Sequence, residues 1–138
     1  MGYDIFMRKI KFGSVELLGF IGILVWVCVT YIRTNDSVFN PVFSFVIGIL
    51  PNLGAAWTMT MFGKWTVLIA MNRRYSLKKH AAFCIGVLAA AVLSEYLYDV
   101  FLQNPFDIYD ILLTVIAQLI MFILPVLTKD KYLESYDE

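Results

Sequence analysis

The sequence predicts an all-α membrane protein: four transmembrane helices in a bundle, with a short interfacial or half-buried segment before the second. Three observations lead there. Of 138 residues, 60% are hydrophobic and only 16% are charged, whereas an ordinary soluble domain is about 45–50% apolar and about 25% charged. The mean hydropathy of +0.74 agrees. A water-facing fold of this size buries only about two-thirds of the surface its unfolded chain exposes, too little to conceal so much apolar side chain. Finally, the apolar residues fall into long runs between short polar turns, and about 20 apolar residues cross a bilayer.

The chain reads as one membrane domain over residues 1–138, without an internal repeat. Arg8, Lys9 and Lys11 precede the first apolar run. A basic start of this kind resembles a signal peptide. The run over residues 15–32 is long, however, and Tyr31, Arg33 and Asn35 are poor neighbours for cleavage, so residues 15–32 are predicted as the first helix. Thr34, Asn35, Asp36 and Ser37 turn the chain. The next run covers residues 38–71 and is too long for one straight crossing. Its natural break is Pro51-Asn52 followed by Gly54, because the residue before a proline disfavours helix. That break predicts a short segment over 41–50 and a second helix over 53–71; one long kinked helix is the alternative.

A basic loop follows, then a third helix over 81–98, where Ala89, Ala90 and Ala91 permit close helix approach. Asp99, Gln103, Asn104, Pro105 and Asp107 form a polar connection to the fourth helix, over 108–127. Lys129, Asp130 and Lys131 open a tail that ends in Glu134, Asp137 and Glu138.

Several function classes drop out. Eleven basic residues balance eleven acidic ones, so no general basic field invites nucleic acid. Cys28 and Cys84 lie inside apolar runs and read as small apolar side chains. His80 has no companion at zinc-ligand spacing. No Gly-rich phosphate loop or Ser-centred nucleophile motif occurs. No catalytic residue, metal or cofactor is predicted, and enzyme activity ranks last among the expected functions.

The basic residues predict orientation. With four crossings, Arg8, Lys9, Lys11, Arg73, Arg74, Lys78, Lys79, Lys129 and Lys131 share one side, Arg33 takes the other, and Lys64 lies within the second helix. The positive-inside rule then places both termini in the cytoplasm. Arg73, Arg74, Lys78 and Lys79 read first as a topology signal and second as a contact for anionic headgroups or a partner.

Ionisable groups inside a membrane cost roughly 3 kcal/mol on insertion scales. Lys64, about 12 Å above the inner boundary, can reach inward to Glu16 or outward to Glu95. Glu95 and Asp99 share one face of the third helix, with Ser94 and Tyr98 as neighbours. Asp107, Asp110, Thr114 and Gln118 form a stripe on the fourth. Antiparallel packing brings the two stripes together near the outer surface. Such carboxylates can bind a cationic group or raise one another's pKa. Asp107 also suits an N-cap, and Asp110 the first turn, of the fourth helix. Tyr31, Phe39, Phe43, Tyr96, Tyr98, Phe101, Phe106 and Tyr109 predict an aromatic belt at that boundary.

Glu95 followed by Phe106-Asp107-Ile108-Tyr109-Asp110 resembles the C-terminal half of VanZ-like membrane proteins, over residues 81–127. Those proteins show a glutamate late in one helix and Phe-Asp-x-x-Asp opening the last. The pattern departs at Thr114, Ala117 and Tyr98, where the family usually has asparagine, glycine and glutamine, and the loop arginine is missing near Asn104. The family's acidic, lysine and histidine residues opening an earlier helix have no match at Pro51-Asn52-Leu53-Gly54-Ala55-Ala56. The resemblance implies a small bacterial envelope protein, of a family linked in some members to glycopeptide resistance. It puts Glu95, Asp107 and Asp110 at the functional positions. On this reading the outer acidic pocket engages a lipid or a glycopeptide-type group, and membrane lipids are the expected partners. Two alternatives stand beside it: a homo-oligomeric channel or transporter subunit, with Thr114 and Gln118 lining a path toward Lys64, and a non-catalytic membrane subunit docking a cytoplasmic partner.

Overall fold

The computed structural model describes residues 12–35, 40–71, 75–103, 105–128 and 130. Among them the chain forms four helices, each long and apolar enough to cross a membrane. Helix α1 spans Ser14–Asn35 and α2 spans Pro41–Trp65, continued by a wider π-type turn over Thr66–Ala70. Helices α3 and α4 span Leu77–Leu102 and Ile108–Leu127.

Local chemistry sets the starts. Pro41 supplies a helical φ in the first turn of α2, and the Asn40 side chain accepts from the Val42 amide at 3.0 Å. Ser76 caps α3 through the Lys79 amide, and Asp107 caps α4 through the Tyr109 amide at 2.9 Å. The capping role read for Asp107 is therefore real. The α1 start is capped from a distance: Asp130, beyond the far end of α4, accepts the Ser14 amide at 2.9 Å and its hydroxyl at 2.8 Å. Helix α3 outruns its sequence estimate at both ends and closes on Gln103 in the left-handed region at φ 52°.

Helices α2 and α4 form the centre. Helix α1 packs along α2, α3 packs on both α4 and α2, and α1 and α3 do not touch among the described residues. Val15, Leu18, Ala56, Trp57, Met61, Cys84, Ala117 and Met121 make the core. Helix α3 is peripheral, with 6% of its spanning window buried against 22–33% in the others. The close approach expected at Ala89–Ala91 occurs elsewhere. Ala89 and Ala90 are exposed, while a Cβ on Gly22 would sit 2.5 Å from the Gly54 carbonyl oxygen, so α1 and α2 cross with backbones nearly touching.

The break expected at Pro51 does not occur. The separate segment 41–50 is instead the opening of α2, which runs unbroken through Pro51. Proline removes the N–H that would serve the carbonyl four residues back, here Ile47. Arg33 of α1 donates to that oxygen at 2.8 Å and to the Gly48 oxygen at 3.0 Å. The same device recurs in α4. Pro125 deprives the Met121 carbonyl of its helical donor, and His80 Nε2 of α3 reaches that oxygen at 2.9 Å. Lipid offers no donor, so a helix keeps a proline only where a neighbour satisfies the freed group.

A double-mutant cycle tests this account. Arg33→Met is expected to destabilise the protein by about 1.5–3 kcal/mol, the range for a charge-assisted hydrogen bond. In a Pro51→Ala background the loss should shrink by half or more, because the restored amide serves Ile47. Equilibrium unfolding in mixed micelles measures both; identical losses in the two backgrounds exclude the proposed capping.

Candidate functional site

One end of the bundle gathers polar groups from all four helices. Glu95 of α3, half-buried, accepts from the Asp107 amide at 3.4 Å, which ties α3 to the start of α4. Asp110, in the first turn of α4, lies within electrostatic reach of Asp107, Glu95 and Arg33, with the Asn52 side chain of α2 beside it. Three carboxyl groups thus meet one guanidinium and one amide. The Arg33 guanidinium is partly committed to backbone oxygens of α2, which leaves the acidic character of this end dominant.

The sequence-derived candidates divide. Glu95, Asp107 and Asp110 come together. Asp99, one turn beyond Glu95, is exposed and is not among the groups that act on Asp110. The Thr114 hydroxyl donates at 2.8 Å to the Asp110 carbonyl of its own helix. Gln118 lies deeper and is buried, its amide donating to the Ala56 carbonyl at 3.1 Å while its oxygen accepts from Thr60 at 3.2 Å. Trp57 Nε1 donates to the Ala117 carbonyl beside it, at 2.8 Å. These bonds pair the polar atoms of α2 and α4 in a closed seam, as a membrane interior requires. Asn52 and Arg33 were not foreseen as site residues. Their signal was a polar side chain inside or at the edge of an apolar run, at the depth of Asp110.

The aromatic belt holds on the described residues. Tyr31, Phe43, Tyr96, Tyr98, Phe101, Phe106 and Tyr109 are all exposed at this end; Phe39 lies outside the described residues. The Phe45 and Tyr109 rings meet edge to face at 5.2 Å, joining the starts of α2 and α4.

The opposite end holds the buried charges. Lys64 turns toward Glu16, not Glu95. Its Nζ lies 2.7 Å from Glu16 Oε1 and 2.9 Å from Oε2. Glu16 also accepts from the Gly13 amide at 2.9 Å and from Trp65 Nε1 at 3.3 Å. Both residues are shut off from the surroundings, Glu16 at 0% and Lys64 at 1% exposure. A buried charge keeps its ionised form only with such partners, and here the pair locks α1 to α2.

Nearby, the buried His80 ring spans two partners. A carbonyl only accepts, so Nε2 carries the proton toward Met121, and in the neutral ring Nδ1 accepts from the Tyr75 hydroxyl at 3.0 Å. Burial, with Cys84 and Glu16 adding to it, pushes the Tyr75 phenol above its usual pKa, which keeps it a donor. Of the basic-loop residues, Lys78 is exposed in the first turn of α3, and the Lys79 amide serves the Ser76 cap. Arg73 and Arg74 lie outside the described residues.

Lys64→Met leaves the Glu16 carboxylate buried without its cation and should cost about 3–5 kcal/mol. The double variant Glu16→Leu/Lys64→Met should recover most of that loss. Thermal unfolding in detergent measures each; a double variant as weak as Lys64→Met alone rules out the pair as the cause.

No protein-family model matches the chain, and no curated protein or solved structure matches it either.

Proposed function

We propose that this chain is a small envelope protein of a bacterial cytoplasmic membrane, similar to VanZ-like proteins, with its acidic end outward. There it engages a cationic group carried by a lipid or by a glycopeptide-type antibiotic. The observation that carries the reading is the meeting of Glu95, Asp107 and Asp110 at one end, with Asn52 beside Asp110. Those three are also the positions the VanZ-like pattern singles out. Carboxylates at the membrane boundary keep part of their attraction for an amine, because lipid on one side lowers the local dielectric. The orientation rests on the nine basic residues that four crossings place at the other end. Both termini are then cytoplasmic.

The proposed mechanism is capture. Glu95 and Asp110 supply charge, the Asp107 amide fixes the Glu95 carboxylate, and Asn52 positions Asp110. Holding the cationic group at the outer boundary keeps it from its target in the envelope, and in this way the protein confers resistance.

Two measurements check the reading. A fluorescent glycopeptide carrying an amino sugar should bind wild-type proteoliposomes, and Glu95→Gln and Asp110→Asn should each weaken binding about tenfold, the effect of losing roughly 1.4 kcal/mol. Added salt should weaken it too. Unchanged binding in both variants removes the proposal. With Cys28 and Cys84 replaced by Ala, Asn104→Cys should react with an impermeant thiol reagent on intact cells; reaction only in broken cells places the acidic end inside.

A further inference from the structure

Helix α3 bears an apolar furrow along the side that meets α4. Toward the basic end it lies between Ala81, Cys84 and Leu88 of α3 and Val115, Leu119 and Phe122 of α4, with a volume of about 260 Å³. Ile85 and Leu88 are shared with a second, wider hollow of about 600 Å³, which follows Val92 and Tyr96 up to Phe106. The two form one strip. Its upper end closes on Tyr96 and Phe106, the chain neighbours of Glu95 and Asp107. Gln118 borders the lower part, but its amide is engaged by Ala56 and Thr60, so the strip presents hydrocarbon throughout.

The geometry points to a single lipid as the occupant: one tail lies in the α3 furrow, and an amine-bearing headgroup sits at Glu95, Asp107 and Asp110. This rests on the acidic-pocket reading and names its ligand as a lipid. Length supports it. From Ala81 to Tyr96 the helix rises about 22 Å, against roughly 15 Å for one leaflet's hydrocarbon. The strip is therefore long enough for the whole of one tail hanging from the acidic end. Charge supports it as well, since Tyr96 and Phe106 at the furrow's upper end adjoin Glu95 and Asp107 in the chain, which are themselves hydrogen-bonded to each other, and carboxylates favour a cationic headgroup. A second copy of the chain fits less well. Membrane helices approach closely across small residues; Ala89 is the one small residue of the upper hollow, set among the bulkier Ile85, Leu88, Val92, Leu93 and Tyr96, which grip a flexible chain better than a helix backbone.

The test uses the full chain in micelles equilibrated with lysyl-phosphatidylglycerol or with phosphatidylglycerol of identical tails, and native mass spectrometry counts retained lipid. Wild type should retain the lysyl form about tenfold better. Ala89→Trp and Val92→Trp fill the furrow from exposed positions where the fold is not at risk. Each should cut retention about tenfold while leaving binding of the soluble glycopeptide unchanged. Undiminished retention in both tryptophan variants overturns the furrow and leaves the acidic pocket standing. Tail retention that ignores the headgroup and survives Glu95→Gln overturns the headgroup placement. A dimer cross-linked through Ala89→Cys that excludes lipid overturns the proposal in favour of a second copy.

Discussion

Arg33 reaches across from α1 to the Ile47 carbonyl at 2.8 Å, and that contact is the reason α2 survives its own proline. A carbonyl freed inside hydrocarbon finds no water, and an unsatisfied polar group there costs several kcal/mol. His80 solves the same problem for Pro125 at the other end of the bundle. Each cap belongs to a different helix from the proline it serves. The two helices that form the centre, α2 and α4, therefore have these carbonyls satisfied only in the assembled bundle. Secondary and tertiary structure depend on each other here more tightly than in a soluble helix, where solvent meets a stray carbonyl.

The remaining interior polarity obeys the same rule. Glu16 and Lys64 hold each other in a site closed to water, with Trp65 and the Gly13 amide on the carboxylate. Asp130 caps α1 from beyond α4. Thr60, Gln118 and Trp57 bind across the α2–α4 contact. The chain thus places charge and hydrogen bonding where neighbouring helices must meet, and leaves α3 clothed in apolar side chains. Close packing at Gly22 and Gly54 adds a steric register between α1 and α2. Together these contacts fix the rotation of three helices, while α3 stays at the edge.

That division gives the two ends different characters. At the basic end the interior titratable groups Glu16, Lys64 and His80 are buried and matched. At the acidic end Glu95 and Asp110 are only half-buried, and their charge is incompletely balanced by Arg33, which is already bonded to the α2 backbone. A matched, enclosed pair stabilises; an unmatched, accessible cluster attracts. This contrast is the physical basis for the proposal of ligand capture at the acidic end. It also explains why Gln118, though aligned with Asp110 by spacing, serves the core instead: two turns deeper, it lies where Thr60 and Ala56 need a partner.

The amino-acid sequence by itself determined the number of long apolar helices and the capped start of α4 at Asp107, but it placed the start of α3 at 81, past the Ser76 cap. Hydropathy and capping act over a few residues, so their outcome is written locally. It also marked Glu95, Asp107 and Asp110 as companions, since helical spacing and a short connection constrain them strongly. Tertiary structure alone decided which carboxylate Lys64 takes, whether Pro51 breaks its helix, and that Asn52 and Arg33 join the acidic end. Each of those outcomes depends on helix rotation and depth, which emerge only when four apolar cylinders pack. Proline shows the difference most plainly: its cost is local, but the donor that offsets it came from another helix.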